Sequence, residues 1–219
     1  MQRILEPEVM DTPEEAIEYD AMDFTEVNTA FARSAIDLAP PIATVLDAGT
    51  GTARIPILIS EFRPNWRIIA IDLAVSMLEL GRKNIALANC QDRIQLERVD
   101  VKRMPYANRQ FDLVISNSLI HHLSDPLPFL QEIRRVVTPE GGIFLRDLLR
   151  PDSEEAIERM VASIGPEYSP HQAKLFGDSL RAAFTLPEIE DLLQRAGLEG
   201  VRVYRSSDRH WTALREGKK

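Results

Sequence analysis

The stretch that decides the fold is "TVLDAGTGTARIP", residues 44–56. A short apolar run ends in an acid, Asp47, and two glycines follow at Gly49 and Gly51 before a helical pattern begins. A buried strand that passes through a glycine turn into a helix is typical of open α/β sheets, whose ligands lie at the carboxyl edge of the strands. The stretch therefore predicts a strand over "ATVLDA", a helix over "ARIPILISEF" and a ligand site between them.

The rest of the chain repeats this alternation of short apolar runs and helix-period segments. Further strands are predicted at "RIIAIDL", "RIQLERVD", "FDLVISNS", "IFLRDLL", "VRVYR" and "HWTALR". Further helices are predicted at "VSMLELGRKNIALAN", "PLPFLQEIRRVV" and "LPEIEDLLQRAG", with Gly141–Gly142 as the turn into the fifth strand. Strands that alternate with helices predict an α/β fold, in which a mostly parallel sheet carries helices on both faces.

Two segments depart from this alternation within what we predict to be one domain, residues 1–219. Residues 13–38 hold two helical stretches that end before Pro40–Pro41, so residues 1–39 are predicted to form an N-terminal helical cap. Residues 151–184 hold two more helices, separated by the breaker "GPEYSP". We expect residues 151–184 to be a helical insertion or lid at the carboxyl edge of the sheet. A packing extension without ligand contact is the alternative.

Composition and charge exclude several classes of protein. The net charge of −8 argues against a nucleic-acid partner, because such proteins usually carry a basic surplus. The single cysteine, Cys90, rules out an internal disulfide and favours a cytoplasmic protein in which this thiol is a small buried side chain. We expect neither a membrane span nor a secretory signal, because long apolar runs are missing.

Four acids fall at or near the carboxyl ends of predicted strands: Asp47, Asp72, Asp100 and Asp147. A buried carboxylate is costly without a partner, so we expect each to face a crevice, a ligand or a helix N-terminus. Asp72 follows Gly51 at the roughly 20-residue spacing of acids that accept hydrogen bonds from ribose hydroxyls. Asp100 can accept from an exocyclic adenine amine while Val101 lies against the ring, or it can serve as a loop cap.

The glycine spacing argues against a dinucleotide site. The pattern G-x-G-x-x-G would require its third glycine at Arg54, and Asp47 would repel a diphosphate. A phosphate-free ligand that carries an ammonium group suits the loop better, since Gly49 and Gly51 allow close approach to the backbone. An NAD-dependent oxidoreductase is therefore disfavoured.

Three segments, "VLDAGTGTARIP", "IIAIDLAVSML" and "VDVKRMPYANRQFDLVISNSLIHHL", resemble the class I S-adenosylmethionine-dependent methyltransferases. The likeness is greatest to the small-molecule branch that includes the ubiquinone/menaquinone-biosynthesis C-methyltransferases. It covers residues 40–150 strongly, and "FTLPEIEDLLQRAGL" with the last two strands more loosely. The family loop, acid-x-Gly-x-Gly-x-Gly, is matched by Asp47, Gly49 and Gly51, with Ala53 at the third glycine.

The resemblance implies a Rossmann-like, seven-stranded sheet of order 3-2-1-4-5-7-6 whose last strand is antiparallel. It implies a monomeric or homodimeric enzyme that uses S-adenosyl-L-methionine, without a metal, and releases S-adenosyl-L-homocysteine. The methionine part of the cofactor would lie against the Asp47 loop. The ribose would bind Asp72, and the adenine would bind Asp100–Val101. Asn117 would lie near the sulfonium, and Tyr19 would close over the cofactor. The cofactor-binding residues expected are Tyr19, Asp47, Ala48, Gly49, Thr50, Gly51, Asp72, Leu73, Met77, Asp100, Val101 and Asn117.

A small-molecule acceptor is the prediction for the methyl group. The fourth strand ends in "NSLI" and lacks the Asn/Asp-Pro-Pro-aromatic motif with which amino-methylating nucleic-acid enzymes hold a flipped base. His121, His122 and Asp147 are weak candidates for deprotonating an acceptor: helix entry is the favoured role of the histidines, and a salt bridge explains Asp147 equally well. An RNA or protein methyltransferase, or a non-catalytic cofactor-binding member of the fold, stays open as an alternative, and the acceptor atom is not identified.

Overall fold

Seven strands form one sheet in the order β3-β2-β1-β4-β5-β7-β6 in the computed structural model, which describes residues 1–6, 11–165 and 168–218. The strands are β1 (Thr44–Ala48), β2 (Arg67–Asp72), β3 (Ile94–Arg98), β4 (Phe111–Asn117), β5 (Val137–Leu148), β6 (Arg202–Arg205) and β7 (His210–Arg215). Neighbouring strands from β3 to β5 are parallel, whereas β7 is antiparallel to both β5 and β6. The predicted fold, strand order and antiparallel last strand are confirmed.

Eight α-helices and one 3₁₀ turn accompany the sheet in the described ranges. They are α1 (Pro13–Asp20), α2 (Thr25–Ala35), α3 (Arg54–Phe62), α4 (Val75–Leu87), the 3₁₀ turn (Ile120–His122), α5 (Leu127–Val136), α6 (Glu154–Ala162), α7 (Pro170–Ala182) and α8 (Leu186–Ala196). Local signals explain their ends: Thr12, Ser169 and Thr185 form capping boxes, and Gly197 ends α8 in the left-handed conformation. None of these helices combines the length and apolar character needed to cross a bilayer.

The sheet is buried on both faces, as the apolar runs predict. On one face α5 and α8 cover β1, β4, β5 and β7, and on the other α2, α3 and α4 cover β1, β2 and β4. Val45 and Leu46 are adjacent in β1 and belong to these two opposite cores, because successive side chains of a strand point to opposite faces. Cys90 is 1% exposed in the second core, as predicted.

The turn predicted at Gly141–Gly142 is wrong. Strand β5 already begins at Val137 and runs through both glycines, although its pairing with β4 shifts register between Phe111 and Leu113. Gly142 is required there because a β-carbon would lie 2.5 Å from the carbonyl oxygen of Leu38. The glycines therefore mark a close approach of two backbones inside an irregular strand.

The N-terminal residues and the 151–184 segment meet at one side of the carboxyl edge. Helix α1 packs on the first turn of α4, and α6 packs on α7 next to the end of β5. Residues 3–6, which we call the N-terminal strap, join the two regions: Ile4 N donates to the carbonyl of Arg181 at 3.1 Å. Of the two N-cap candidates that precede α6, Asp152 and Ser153, the structure shows Ser153 as the cap, and residues 166–167 of the breaker "GPEYSP" lie outside the described residues.

Candidate active site

A cleft opens at the carboxyl ends of β1, β2 and β4, and we call it the edge cleft. It holds about 830 Å³ of free space, counting the part open to solvent. Its lining contains most of the predicted cofactor residues: Tyr19, Gly49, Gly51, Asp72, Leu73, Met77, Asp100, Val101 and Asn117. Sequence reasoning did not single out Ala74, Val99, Lys102, Ser118, Leu119 and Leu123, which also line it.

A second cleft lies between the glycine loop and the N-terminal helices, and we call it the cap cleft. Asp47 and Thr50 line this cleft rather than the edge cleft, together with Asn28 of α2. The two clefts share Tyr19, Gly49 and Asn117, so they meet above the glycine loop. Ala48 lines neither cleft; it is fully buried, and its carbonyl accepts a hydrogen bond from the hydroxyl of Ser116 at 2.8 Å.

The glycine loop depends on left-handed backbone conformations. Gly49 has φ 75° and Gly51 has φ 54°, and a β-carbon on Gly49 would lie 2.9 Å from the Cβ of Leu119. Ala53, at the family's third glycine, also adopts φ 64° and is fully buried. Its methyl faces Gly81 of α4, where an added β-carbon would lie 3.4 Å away. The alanine is accommodated because the facing helix presents a glycine.

Asp72 holds the glycine loop in place. Its Oδ2 accepts from Gly51 N at 2.8 Å and its Oδ1 from Ala74 N at 3.0 Å, while Gly49 N donates to the carbonyl of Ile71. Burial raises the pKa of Asp72 above its usual value, although these backbone donors oppose the shift. Each carboxylate oxygen keeps a further lone pair, so Asp72 can also accept hydrogen bonds from a ligand in the edge cleft.

Asp47 is a buried carboxylate with an unsatisfied oxygen. It is 2% exposed, and its Oδ2 accepts no hydrogen bond from the described residues. Burial raises the pKa of Asp47 to about 7. An unpaired buried carboxylate is unfavourable, so this position suits a ligand that brings a cation or a hydrogen-bond donor.

Helix α1 places Tyr19 beside the glycine loop. The Tyr19 ring lies 3.6 Å from the position that a β-carbon on Gly51 would occupy. Burial raises the pKa of Tyr19 to about 12, and the nearby carboxylates add to this shift. The phenol therefore stays protonated and can donate a hydrogen bond. Arg54, which occupies the third-glycine position of a dinucleotide site, joins α3 to α1 through Asp20 at 2.6 Å.

The part of the edge cleft around Asp100 is consistent with both interpretations of that residue. Its Oδ1 accepts from Lys102 N at 2.9 Å, as a loop cap does, and the residue also lines the cleft. Val99 and Val101 on either side of it are 8% and 6% exposed. Together with Leu73 and Met77 they give the cleft an apolar wall for a flat ring.

The three weak catalytic candidates occupy different places. His121 and Asp147 are buried as a pair, with 2.5 Å between Nδ1 and Oδ1, and neither lines a cleft. Burial opposes the charge of both groups, but their mutual attraction lowers the pKa of Asp147 and raises that of His121. Asp147 also accepts from the backbone N–H groups of Ile120 and His121. Of the three candidates, His122 alone lines the edge cleft.

Comparison with known proteins agrees with this geometry. Residues 42–194 match the family model of a methyltransferase domain. A demethylmenaquinone methyltransferase of Lactobacillus johnsonii is 32% identical over 113 residues, which are 52% of this chain and 46% of the relative. The enzyme of the same name from Deinococcus radiodurans is 33% identical over 122 residues, 56% of this chain and 50% of the relative. The chain spans about half the length of these curated relatives.

Solved structures share the fold. A S-adenosylmethionine-dependent methyltransferase from Aquifex aeolicus superposes with a TM-score of 0.68 at 19% identity, over 94% of this chain and 98% of the other. A putative S-adenosylmethionine-dependent methyltransferase from Methanococcus maripaludis superposes with a TM-score of 0.73 at 19% identity, over 99% of this chain and 98% of the other. The strand order and the glycine loop at the carboxyl edge define a class I methyltransferase fold. Since the family model covers most of the chain, the protein belongs to the S-adenosylmethionine-dependent methyltransferases.

Proposed function

We propose that the protein transfers a methyl group from S-adenosylmethionine to a small molecule by in-line displacement. The observation that carries the proposal is Asp47, whose buried Oδ2 accepts no hydrogen bond from the described part of the chain. A carboxylate in this state requires a donor or a cation, and the ammonium group of a methionine moiety supplies both. A diphosphate at the same place would be repelled, which favours this cofactor over a dinucleotide.

The two clefts suit the two halves of this cofactor. In the edge cleft, Asp72 would accept hydrogen bonds from the ribose and Asp100 from the adenine amine, with Val101 and Leu73 against the ring. In the cap cleft, Asp47 and Thr50 would hold the methionine part. The clefts meet at Tyr19, Gly49 and Asn117, where the sulfonium of a cofactor spanning both would lie.

The chain's contribution to the reaction would be positioning. The bound cofactor supplies a methyl group on a positively charged sulfur, which an acceptor displaces from the opposite side. Residues that fix two reactants in line can supply much of the rate enhancement. Leu119, His122 and Leu123 line the edge cleft beyond Asn117, and we assign to them the acceptor side of the site. His122 is placed to take a proton from the acceptor there.

A small acceptor is supported by the surroundings of the site and by the relatives. Arg3 of the N-terminal strap and helix α7 both contact the 3₁₀ turn that carries His122, and we propose that residues 1–39 and 151–184 form the cap and lid of a closed pocket. Relatives carry the names demethylmenaquinone methyltransferase, 27-O-demethylrifamycin SV methyltransferase and arsenite methyltransferase, all of which describe small acceptors. The negative net charge agrees with an acceptor other than nucleic acid.

Calorimetry with S-adenosylmethionine and S-adenosylhomocysteine tests the cofactor. Asp72→Asn should weaken binding about tenfold or more, because the charge is lost and the amide keeps an oxygen for only one of the two backbone donors, Gly51 N and Ala74 N. Asp191→Asn, which removes an exposed carboxylate paired with Arg195, is the matched control and should bind normally. No binding by the wild-type protein would contradict the proposal.

The acceptor is tested with a metabolite extract, the enzyme and methyl-labelled cofactor, followed by mass spectrometry. We expect the label in a small molecule, and Asp72→Asn should reduce its incorporation. Label that appears in RNA or protein instead would contradict the proposed small-molecule acceptor but not the proposed cofactor.

A further inference from the structure

Three metal-ligating side chains converge beside the edge cleft: Glu6 of the N-terminal strap, and His121 and His122 of the 3₁₀ turn. Their ligand atoms all lie within 4.8 Å of one another. Oε1 of Glu6 is 3.4 Å from Nε2 of His121 and 3.1 Å from Nδ1 of His122. Two atoms that each bind a tetrahedral zinc ion at 2.0–2.2 Å lie roughly 3.3–3.5 Å apart. Both distances from Glu6 to the histidines are close to this spacing, as expected for ligands of one ion.

The residues behind these ligands hold them in coordinating orientations. His121 Nδ1 faces the buried carboxylate of Asp147, an arrangement that almost all metal-binding histidines have. When Nδ1 carries the proton for Asp147, the lone pair of Nε2 points toward Glu6. The hydroxyl of Ser179 donates to the Glu6 carboxylate at 3.1 Å, so this ligand is oriented as well.

The contact between His122 and Glu6 lacks the geometry of a hydrogen bond. Nδ1 of His122 is inaccessible to solvent and makes no hydrogen bond within the described ranges, although it lies 3.1 Å from the carboxylate oxygen. A neutral imidazole lone pair and a carboxylate oxygen repel each other at this distance unless a cation stands between them. Shared coordination of an ion satisfies Glu6 and both histidines together.

We propose that Glu6, His121 and His122 bind one divalent transition-metal ion, with zinc as the expected occupant. Two histidines and one glutamate are the donor set of catalytic zinc, which keeps a coordination position open. His122 lines the edge cleft, so the open position would face the cleft. If the proposed function holds, an acceptor hydroxyl or thiol bound there would lose its proton to solvent more easily and become a better nucleophile, and the ion would replace His122 as the group that activates the acceptor.

The strap is anchored so that Glu6 reaches the histidines. Arg3 Nη2 donates to the carbonyls of His121 and Leu123 at 2.9 and 2.8 Å, so residue 3 is fixed to the same 3₁₀ turn that carries the histidines. The Arg3 guanidinium balances one of the two carboxylates, Glu6 and Asp147. Arg150, which also acts on Arg3, is paired with Glu188. With both imidazoles neutral, as coordination requires, one negative charge is left, and it favours a cation.

Zinc titration of the chelator-treated protein tests the site. Calorimetry should find one zinc ion per chain, and Co²⁺ in its place should give the visible absorption of a low-symmetry nitrogen and oxygen site. Glu6→Gln and His122→Ala should each weaken zinc binding at least about tenfold, because each removes one ligand. His171→Ala is the matched control, since His171 and Glu18 form an exposed pair at 3.3 Å, and it should bind zinc like the wild type.

Circular dichroism establishes that each variant is folded, and two independent ligand variants keep the test decisive. Wild-type protein that takes up no zinc, or ligand variants that bind it as tightly as the wild type, would overturn the proposal. Cofactor affinity is measured on the same samples. Zinc binding without cofactor binding would contradict the proposed function alone, and cofactor binding without zinc would contradict the metal site alone.

Discussion

At the residue scale, Asp47 connects the fold to the choice of ligand. Its pKa is raised to about 7 by burial, so in the free protein it takes up a proton as the pH falls below that value. A ligand that carries an ammonium group favours the ionised form, and binding below pH 7 therefore releases a proton. Affinity for S-adenosylmethionine should rise with pH, by at most about tenfold per unit, and level off above about pH 7.

Calorimetry between about pH 5 and pH 8 checks this dependence, with Asp47→Asn as the test variant. The variant should bind more weakly at neutral pH, and its affinity should vary less with pH than that of the wild type, because Asp47 no longer titrates and Asp72 remains. Asp208→Asn removes a carboxylate whose side chain is 93% exposed and should keep the wild-type profile. If the affinity of Asp47→Asn depends on pH as that of the wild type does, Asp47 does not bind the ammonium group.

Gly49 offers a second test at this scale. Gly49 and Gly200 both have φ 75°, so alanine is strained by about 1–2 kcal/mol at either position. At Gly49 the new methyl would also meet Leu119 at 2.9 Å, whereas at Gly200 its nearest neighbour is 3.7 Å away. Gly49→Ala should therefore lower the free energy of unfolding by about 1–3 kcal/mol more than Gly200→Ala.

Urea unfolding measures that difference, and calorimetry should show weaker cofactor binding for Gly49→Ala alone. Equal unfolding free energies for the two variants would mean that the Leu119 contact relaxes without cost.

At the scale of elements, the joint between α1 and the glycine loop governs how Tyr19 is held. Arg54 of α3 and Asn84 of α4 both contact Asp20 at the end of α1. Because Arg54 is half-exposed, the pair contributes about 0.2–1 kcal/mol. Arg54→Ala should raise the dissociation constant of S-adenosylmethionine up to about fivefold by loosening α1, with a small effect on overall stability.

Calorimetry and thermal unfolding measure these two effects, and Arg195→Ala is the control. Arg195 forms an exposed pair with Asp191 at 3.1 Å on α8, so its loss should change neither quantity. A similar loss of affinity in both variants would mean that overall charge, and not the α1 joint, is responsible.

The sequence predicts the elements well where their signals are local. Short apolar runs and the 3.6-residue period locate the strands and helices of the sheet layers, and Gly197 marks the end of α8. The start of β5 at Val137 was not predicted, because the residues before Gly141 pair with β4 without an apolar pattern.

At the scale of the whole molecule, the carboxyl-edge arrangement of Gly49, Asp72 and Val101 follows from strand order, so spacing and resemblance predict it. The approach of Glu6 to His121 and His122 does not follow, because it depends on the strap folding back over the 3₁₀ turn and α7. Contacts of this kind have no periodic signal in the sequence, so sequence reasoning does not predict them.

Arg3 gives the last prediction, because it joins three distant parts of the chain. Its guanidinium lies 3.9 Å from the Phe184 ring centroid, and it donates to the carbonyls of Ala182 and His121. Loss of charge-assisted hydrogen bonds costs about 1.5–3 kcal/mol each, and the effect should fall on local opening because the sheet cores are untouched. Arg3→Gln should therefore speed hydrogen exchange in residues 1–6, the 3₁₀ turn and the end of α7.

Hydrogen-exchange mass spectrometry of Arg3→Gln tests this coupling, with Arg33→Gln as the control. Arg33 stands 5.9 Å from the Phe62 ring on the opposite side of the sheet, so its loss should leave α7 protected. Protection of β1 and β4 should be unchanged in both variants, because the exchange of central strands reports global unfolding. Faster exchange throughout the Arg3→Gln variant would show that the strap stabilises the whole fold. Unchanged exchange at α7 would show that Arg3 does not hold the end of this helix.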